Sequence, residues 1–109
     1  MALRHIALFR WIDGTTPEQV AAVREGLAAL PAAIPELDAY AFGPDLGLGA
    51  GNFDFAVVAD VADEAAYAAY RDHPRHQEAL AIVRPLLADR AAVQFRTDGA
   101  GSPGSEGAR

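Results

Sequence analysis

The sequence contains no cysteine and no lysine, and its only serines, Ser102 and Ser105, lie near the C-terminus. Without cysteine it cannot form a disulfide, a thiolate nucleophile or a cysteine-ligated zinc site. Without lysine it cannot form a Schiff base or anchor a pyridoxal cofactor. The reactive groups left to the folded part are histidines, tyrosines, threonines and carboxylates, which favour proton transfer over covalent catalysis.

Basic runs and long apolar segments are also missing from the sequence. Fifteen acidic residues against nine basic ones give a net charge of -6, which argues against nucleic acid or an anionic membrane as partner. No apolar stretch approaches the ~20 residues that span a bilayer, and the N-terminus has the pattern of a strand and not of a signal peptide. We therefore expect a cytoplasmic protein.

The composition is that of one small globular domain. Of 109 residues, 51% are hydrophobic and 22% charged, far from the composition of disordered chains. We expect a single domain over residues 1–97. Residues 98–109, "DGAGSPGSEGAR", are rich in Gly, Ser and Pro and are predicted to form a disordered C-terminal tail.

Alternation and capping signals predict the order β-α-β-β-α-β. Apolar residues alternate over 3–11, 53–61 and 90–97, and a shorter strand is predicted over 37–42. The first helix is predicted to begin with Thr16 as N-cap, Pro17 as first residue and Gln19 closing a capping box. The second is predicted between Asp63, its cap, and Leu87, with Pro74 dividing it in two.

This order indicates an α+β, ferredoxin-like fold with a four-stranded antiparallel sheet and both helices on one face. The other face has no cover from its own chain. It carries four apolar residues, Ile6, Leu8, Ala56 and Val58. Because a large exposed apolar face marks an interface, we expect a two-fold homodimer that packs the two open faces together.

Histidines and tyrosines are predicted to meet between the sheet and the helices. His5 lies on the strand face that points towards the helices, and His76 begins an apolar row on the second helix. Tyr70 lies six residues earlier, whereas Tyr67 is predicted in the core or at the rim and His73 nearer the surface. A desolvated imidazole can act as a neutral base, and a phenol can donate to a developing oxyanion.

Other interpretations of these residues remain open at this point. His5 and His76 could be structural and satisfy each other's hydrogen bonds. His5, His73 and His76 could ligate a metal, but Pro74 disrupts the helical geometry and we expect no metal and no cofactor. Asp54 and Asp60 could form a carboxylate pair, although pairing with Arg4, Arg10 and Arg96 is favoured.

One further motif, "GPDLGLGAG", is rich in glycine. It lacks the lysine and the spacing of a P-loop and runs between two strands. It is predicted to be a hairpin loop.

Several segments together resemble the stress-responsive dimeric α/β-barrel (Dabb) family. They are "LRHIALFRWIDGTTPEQ", "AAIPEL", "GNFDFAVVADV", "AAYRDHPRHQEAL" and "VRPLL". The resemblance covers nearly all of residues 1–97 and implies the same ferredoxin-like unit, paired into a dimeric α/β barrel. In members similar to olivetolic acid cyclase, a tyrosine and a histidine of the helix motif and a histidine of the first strand serve a cofactor-free aldol cyclisation.

The resemblance implies roles for matching residues here. His76 is expected to remove a proton, Tyr70 to hold an oxygen that gains charge, and His5 to orient the substrate. The implied function is a cofactor-independent acid/base enzyme, a polyketide cyclase or lyase acting on a small β-keto or aromatic substrate. The alternatives are a non-catalytic stress-responsive ligand-binding dimer and a cofactor-free monooxygenase. The implied pocket wall consists of Ala7, Phe9, Val23, Leu27, Phe55, Val57 and Leu80.

Overall fold

A computed structural model describes residues 2–97 of the protein. The elements follow the predicted order, with each helical region divided in two. They are β1 (Leu3–Trp11), α1 (Pro17–Ala28), α2 (Leu30–Ala33), β2 (Ala39–Pro44), β3 (Phe55–Val61), α3 (Glu64–Asp72), α4 (Pro74–Val83), a 3₁₀ turn (Arg84–Leu86) and β4 (Leu87–Arg96). The predicted tail, residues 98–109, lies outside the described residues.

The four strands form one antiparallel sheet in the order β2-β3-β1-β4. The two central strands, β1 and β3, alternate between buried and half-buried residues, except that Arg10 and Trp11 at the end of β1 are both half-buried. Their buried side chains face the helices and their half-buried side chains face the other way. The ferredoxin-like architecture predicted from the sequence is confirmed.

The N-terminal caps of the helices explain where they begin. The Thr16 hydroxyl accepts a hydrogen bond from the backbone N–H of Gln19, whose side chain accepts one from the Thr16 N–H in return. Asp63 caps α3 by accepting from the N–H of Ala66. Each cap satisfies donors that the first helical turn leaves free, and both were predicted.

The predicted strand boundaries differ from the observed ones. β2 occupies 39–44 and not 37–42, and β3 begins at Phe55 and not at Phe53. β4 begins at Leu87, three residues before the predicted start at Arg90. A 3₁₀ turn containing Pro85 ends the helical region early, so Leu87, predicted as helical, pairs with Trp11 at the start of the strand.

The core fills the space between the sheet and the helices, where Val23, Leu27, Ile34, Phe55 and Val61 are among the fully buried side chains. The opposite face of the sheet stays uncovered in the single chain. Register places Val93 beside Ile6 and Phe95 beside Arg4 on that face, and Val93 and Phe95 remain 52% and 46% exposed. Among the described helices, none has the length and apolar character needed to cross a membrane.

Candidate functional site

A cavity of about 340 Å³ lies between the helix-facing side of the sheet and the helices α3 and α4. Its volume is at the lower end of the range for small-molecule sites, roughly 300 to 1,000 Å³. The sheet and the helices both contribute apolar side chains to the wall, and both also contribute histidine, tyrosine and arginine side chains. The lining consists of His5, Ala7, Phe9, Leu27, Tyr40, Val57, Tyr67, Tyr70, Arg71, His76, Leu80, Val83, Arg84, Leu87 and Arg90.

The break between α3 and α4 positions His76 in this cavity. His73 has extended backbone angles, and its Nδ1 accepts a hydrogen bond from the N–H of Arg75 as the N-cap of α4. Pro74 occupies the first position of the new helix, which needs no N–H donor there. The helix restarts so that His76 is buried, while His73 is half-buried and does not line the cavity.

The hydrogen bond of His76 determines which of its ring nitrogens carries the proton. Its Nδ1 lies 2.9 Å from the backbone oxygen of Arg71. A carbonyl oxygen can only accept, so Nδ1 carries the hydrogen. Burial is the main factor that lowers the pKa of His76 and keeps its ring neutral, which leaves Nε2 unprotonated. Within residues 2–97, Nε2 has no hydrogen-bond partner.

His5 has the opposite tautomer. Its Nδ1 lies 2.8 Å from Nε2 of Gln94, which faces it from β4. Because an amide nitrogen donates, Nδ1 of His5 accepts and its Nε2 carries the hydrogen. Burial, with smaller contributions from Arg90 and His76, lowers the pKa of His5 to about 4. His5 is therefore a neutral donor at physiological pH.

Tyr70 connects the two histidines. Its ring centroid is 4.3 Å from that of His76 and 6.3 Å from that of His5. Burial is the largest influence on the Tyr70 hydroxyl and raises its pKa, so the phenol stays protonated. The candidate site therefore combines one bare ring nitrogen with an N–H and an O–H donor.

Tyr40 brings a further phenol to the cavity from β2. Its ring meets that of Tyr70 edge to face at 6.3 Å, and burial, then Tyr70, raises its pKa. The two hydroxyls influence each other's pKa, but the contact is too loose to meet hydrogen-bond geometry. The buried hydroxyl of Tyr40 thus lacks a hydrogen-bond partner within the described part of the chain.

Most of the predicted site residues meet in the cavity. His5, Tyr70 and His76 are brought together there, and the predicted wall residues Ala7, Phe9, Leu27, Val57 and Leu80 are part of its lining. Val23 and Phe55, also predicted as wall, are 1% exposed and are absent from the lining. Phe55 stacks on Phe9 at 6.2 Å. Val23 and Phe55 both belong to the hydrophobic core, which fills the part of the space between sheet and helices that the cavity does not reach.

The sequence prediction missed several polar residues of the site: Tyr40, Arg71, Arg84 and Arg90. Tyr67, predicted in the core or at the rim, also lines the cavity, and its ring lies 5.3 Å from that of His5. Strand alternation contains a signal for Arg90, because it pairs with Phe9 and so shares the helix-facing side. That signal requires the register of β4, which the sequence does not reveal.

Contacts in the structure bear on the alternatives that the sequence left open for the histidines and for Asp54 and Asp60. His5 and His76 bond to Gln94 and Arg71 and not to each other. Asp60 pairs with Arg4 through two hydrogen bonds of 2.8 and 2.9 Å, while Asp54 accepts from the backbone N–H of Trp11. Over residues 2–97, no three His, Cys, Asp or Glu side chains cluster closely enough to hold a metal ion.

A shallower depression of about 560 Å³ lies on the open face of the sheet, beside the loop over residues 45–54. Apolar side chains dominate it, among them Leu8 and Ala56, and the loop residues Leu46 and Leu48 are 81% and 86% exposed. It contains neither histidine nor tyrosine. Although it is larger than the first cavity, its lining is that of a contact surface and not of a catalytic site.

Comparison with known protein families identifies the chain. A sequence profile described as "Stress responsive A/B Barrel Domain" (Dabb) matches residues 3–97. The chain belongs to the Dabb family. The family resemblance seen in the sequence is confirmed, and the match covers the same residues that form the sheet, the helices and the cavity of this Dabb domain.

Solved structures share the Dabb fold of this chain. A dimeric ferredoxin-like protein of unknown function from Thermobifida fusca is 65% identical, with 87% of this chain and 90% of that chain covered and a TM-score of 0.83. A hydroxynitrile lyase from Passiflora edulis has 19% identity, 86% and 91% coverage and a TM-score of 0.76. SnoaB, a cofactor-independent oxygenase from Streptomyces nogalater, has 14% identity, 90% and 94% coverage and a TM-score of 0.70. Among curated proteins, none matches the sequence.

Proposed function

We propose that this Dabb protein is a cofactor-independent acid/base enzyme that removes a proton from carbon next to a carbonyl group. One observation carries the proposal: the hydrogen bond from Nδ1 of His76 to the Arg71 carbonyl, which leaves a neutral, unprotonated Nε2 beside the Tyr70 ring in the cavity. A general base requires a free lone pair and a pKa that keeps it neutral at working pH.

The proposed step uses each polar group in one role. Nε2 of His76 takes the proton as the C–H bond breaks, and the electron pair moves onto the carbonyl oxygen of the substrate. The Tyr70 hydroxyl donates a hydrogen bond to that oxygen, and His5 donates a second one from its Nε2–H. Donors that are in place before the charge develops stabilise it without reorganisation. The resulting enolate carbon then attacks a second carbonyl and forms a carbon–carbon bond, while the π electrons of that carbonyl move onto its oxygen. That oxygen takes the proton back from Nε2 of His76, which returns to its neutral form.

The pKa shifts favour this division of roles. His76 and His5 both have lowered pKa values, chiefly because they are buried, so neither is charged near neutral pH. Tyr70 has a raised pKa for the same reason and stays a donor. One environment thus keeps the base deprotonated and the phenol protonated.

The substrate we propose is a small β-keto or aromatic compound, processed by a polyketide cyclase or a lyase of specialised metabolism in the cytoplasm. Similar folds described as a hydroxynitrile lyase and a cofactor-independent oxygenase support an enzymatic use of this cavity. The apolar wall of Ala7, Phe9, Val57 and Leu80 suits a carbon skeleton. Leu27 and Val83 continue this apolar wall on the helix side.

Turnover of poly-β-keto thioesters by the purified protein tests the proposal. We expect His76→Ala to lower kcat by about 10² to 10⁴ and Tyr70→Phe to lower it by about 10². His73→Asn is the matched control, because asparagine keeps an N-cap acceptor at a position outside the cavity, and its kcat should equal that of the wild type.

Three results would count against the proposal. Equal product from the wild type and from the His76 and Tyr70 variants would remove the acid/base roles. Saturable binding of these compounds without turnover would favour the second candidate, a ligand-binding dimer. Oxygen consumption during turnover would indicate an oxygenase instead.

We also propose that two copies pair through the open faces of their sheets. The central part of that face is formed by Ile6, Leu8, Ala56 and Val58, all half-buried in the single chain, and Val93 and Phe95 extend it onto β4. The Thermobifida fusca relative is described as dimeric. Burying this apolar surface against its own copy would remove it from water at both partners at once.

A further inference from the structure

The mouth of the cavity carries positive charge in a protein whose net charge is -6. Arg71, Arg84 and Arg90 are part of the lining, and the lining contains no aspartate or glutamate. The remaining titratable groups of the cavity are histidines and tyrosines, and none of them is a carboxylate. An anion that enters therefore meets cations and no opposing carboxylate.

The arginines of the mouth differ in whether their charge is already neutralised. Arg71 forms two hydrogen bonds of 2.9 and 3.0 Å with the carboxylate of Asp72. Arg84 and Arg90 have no ion pair within residues 2–97, whereas Arg4, Arg75 and Arg96 each form one. Arg84 and Arg90 are thus the two cavity cations with guanidinium groups available to a ligand.

Register explains why Arg90 stays unpaired although Asp89 precedes it. Successive strand residues point to opposite sides of a sheet. Arg90 pairs with Phe9 on the helix-facing side, while Asp89 pairs with Arg10 on the open side. Arg90 lines the same cavity as His5, Tyr70 and His76, and its charge lowers the pKa of all three.

We propose that the ligand of this cavity carries an anionic group, either a carboxylate of the substrate or a phosphate of a carrier, and that Arg84 and Arg90 bind it at the mouth. The planar guanidinium matches two anionic oxygens at once. This inference deepens the proposed function by naming a substrate class, and it requires binding but not turnover.

Small aromatic probes that differ in charge show whether the cavity recognises an anionic group or only the aromatic ring. We would measure the binding of 4-hydroxybenzoate, its neutral amide 4-hydroxybenzamide, and phenyl phosphate by calorimetry. All three tyrosines of the sequence line the cavity, so tyrosine difference absorbance reports on binding at this place. We expect the acid to bind at least about tenfold more tightly than the amide, as one charge-assisted hydrogen bond allows.

Arginine variants test whether Arg84 and Arg90 cause the tighter binding of the acid. Arg84→Gln and Arg90→Gln should each reduce the preference for the acid over the amide, and the double variant should bind both equally. Arg75→Gln is the matched control, because Arg75 pairs with Glu78 and does not line the cavity. Arg84 and Arg90 are exposed, so their replacement leaves the core intact, which the thermal midpoint checks.

The outcomes are decisive in both directions. Tighter binding of phenyl phosphate than of the acid would indicate a phosphorylated carrier as the source of the anion, and the reverse a carboxylate on the substrate itself. Equal binding of acid and amide, no binding of either anion at millimolar concentration, or a preference that survives in the double variant would overturn the proposal. His76→Ala should lose turnover and keep the preference, so failure of the acid/base chemistry remains distinguishable.

Discussion

Nδ1 of His76 lies 2.9 Å from the backbone oxygen of Arg71, five residues earlier in the chain. A continuous helix would give that oxygen a backbone donor four residues later. The interruption at His73 and Pro74 leaves it available to the ring of His76, and Gln77 donates to it as well, at 2.8 Å. The same break that positions the histidine thus fixes its tautomer.

The buried neutral His5 should make the stability of the protein depend on pH. Its pKa falls from 6.5 to about 4 on folding, so the unfolded chain binds a proton at His5 more readily than the folded one. The free energy of unfolding is therefore highest above pH 6.5 and decreases as the pH falls towards 4. We expect a loss on the order of 2 kcal/mol between pH 7 and about pH 4.5. Urea unfolding at several pH values measures it.

His5→Gln is the comparison for this prediction. The variant should show a flatter dependence between pH 6.5 and 4, with the remaining slope due to His76, whose pKa is also lowered. The ion pair of Asp60 lowers a carboxyl pKa from 3.8 and acts only at more acid pH. An identical slope in wild type and variant would contradict the burial of a neutral His5.

The unpartnered hydroxyl of Tyr40 should reduce the stability of the fold. Its oxygen is buried without a hydrogen bond among the described residues, and such a group costs about 1 to 3 kcal/mol. We expect Tyr40→Phe to raise the free energy of unfolding by about 1 kcal/mol, measured by urea denaturation. A decrease of similar size in the free energy of unfolding would mean that the hydroxyl has a hydrogen-bond partner in the folded protein.

Two glycines should respond in opposite ways to alanine. Gly26 lies inside α1, where an added Cβ would be 3.4 Å from Cδ1 of Ile82, an ordinary contact. We expect Gly26→Ala to stabilise by about 0.5 to 1 kcal/mol because helical glycine loses more backbone entropy. Gly14 has a φ of +83°, and Gly14→Ala should destabilise by about 1 to 2 kcal/mol. Thermal unfolding measures both variants. Midpoints that rise in both, or fall in both, would be inconsistent with these backbone conformations.

The open sheet face should determine the oligomeric state. Val93→Asp introduces a charge on that face, and Ile82→Asp introduces the same charge on helix α4. The two positions are 52% and 41% exposed in the single chain. Light scattering should show a dimer for the wild type and for Ile82→Asp, and a monomer for Val93→Asp. A dimer in all three proteins would place the interface elsewhere.

The alternation of residues within single elements predicted much of this molecule. The faces of β1 and β3, the caps at Thr16 and Asp63 and the inward turn of His76 after Pro74 follow from local spacing and local hydrogen bonds. These features need no knowledge of distant partners, because strand alternation and helix capping are set by neighbouring residues.

The parts that the sequence did not predict depend on how elements meet. Arg90 enters the site because Leu87, after the 3₁₀ turn, starts β4 and fixes its register on β1. Val23 shares the sheet-facing side of α1 with Leu27 yet belongs to the filled core, because helix packing decides where the cavity ends. Tyr40 was missed since β2 lies at the sheet edge and its neighbours are far apart in sequence.

The protonation of the three histidine rings tests the central claim most directly. Long-range ¹H–¹⁵N correlation spectra at neutral pH, assigned with His→Gln variants, distinguish the two ring nitrogens of each. We predict that His76 alone carries its proton on Nδ1, because it donates to the Arg71 carbonyl, whereas His5 and His73 accept at Nδ1 and carry theirs on Nε2. A protonated Nε2 on His76 would contradict the account, because the proposed base would then have no free lone pair.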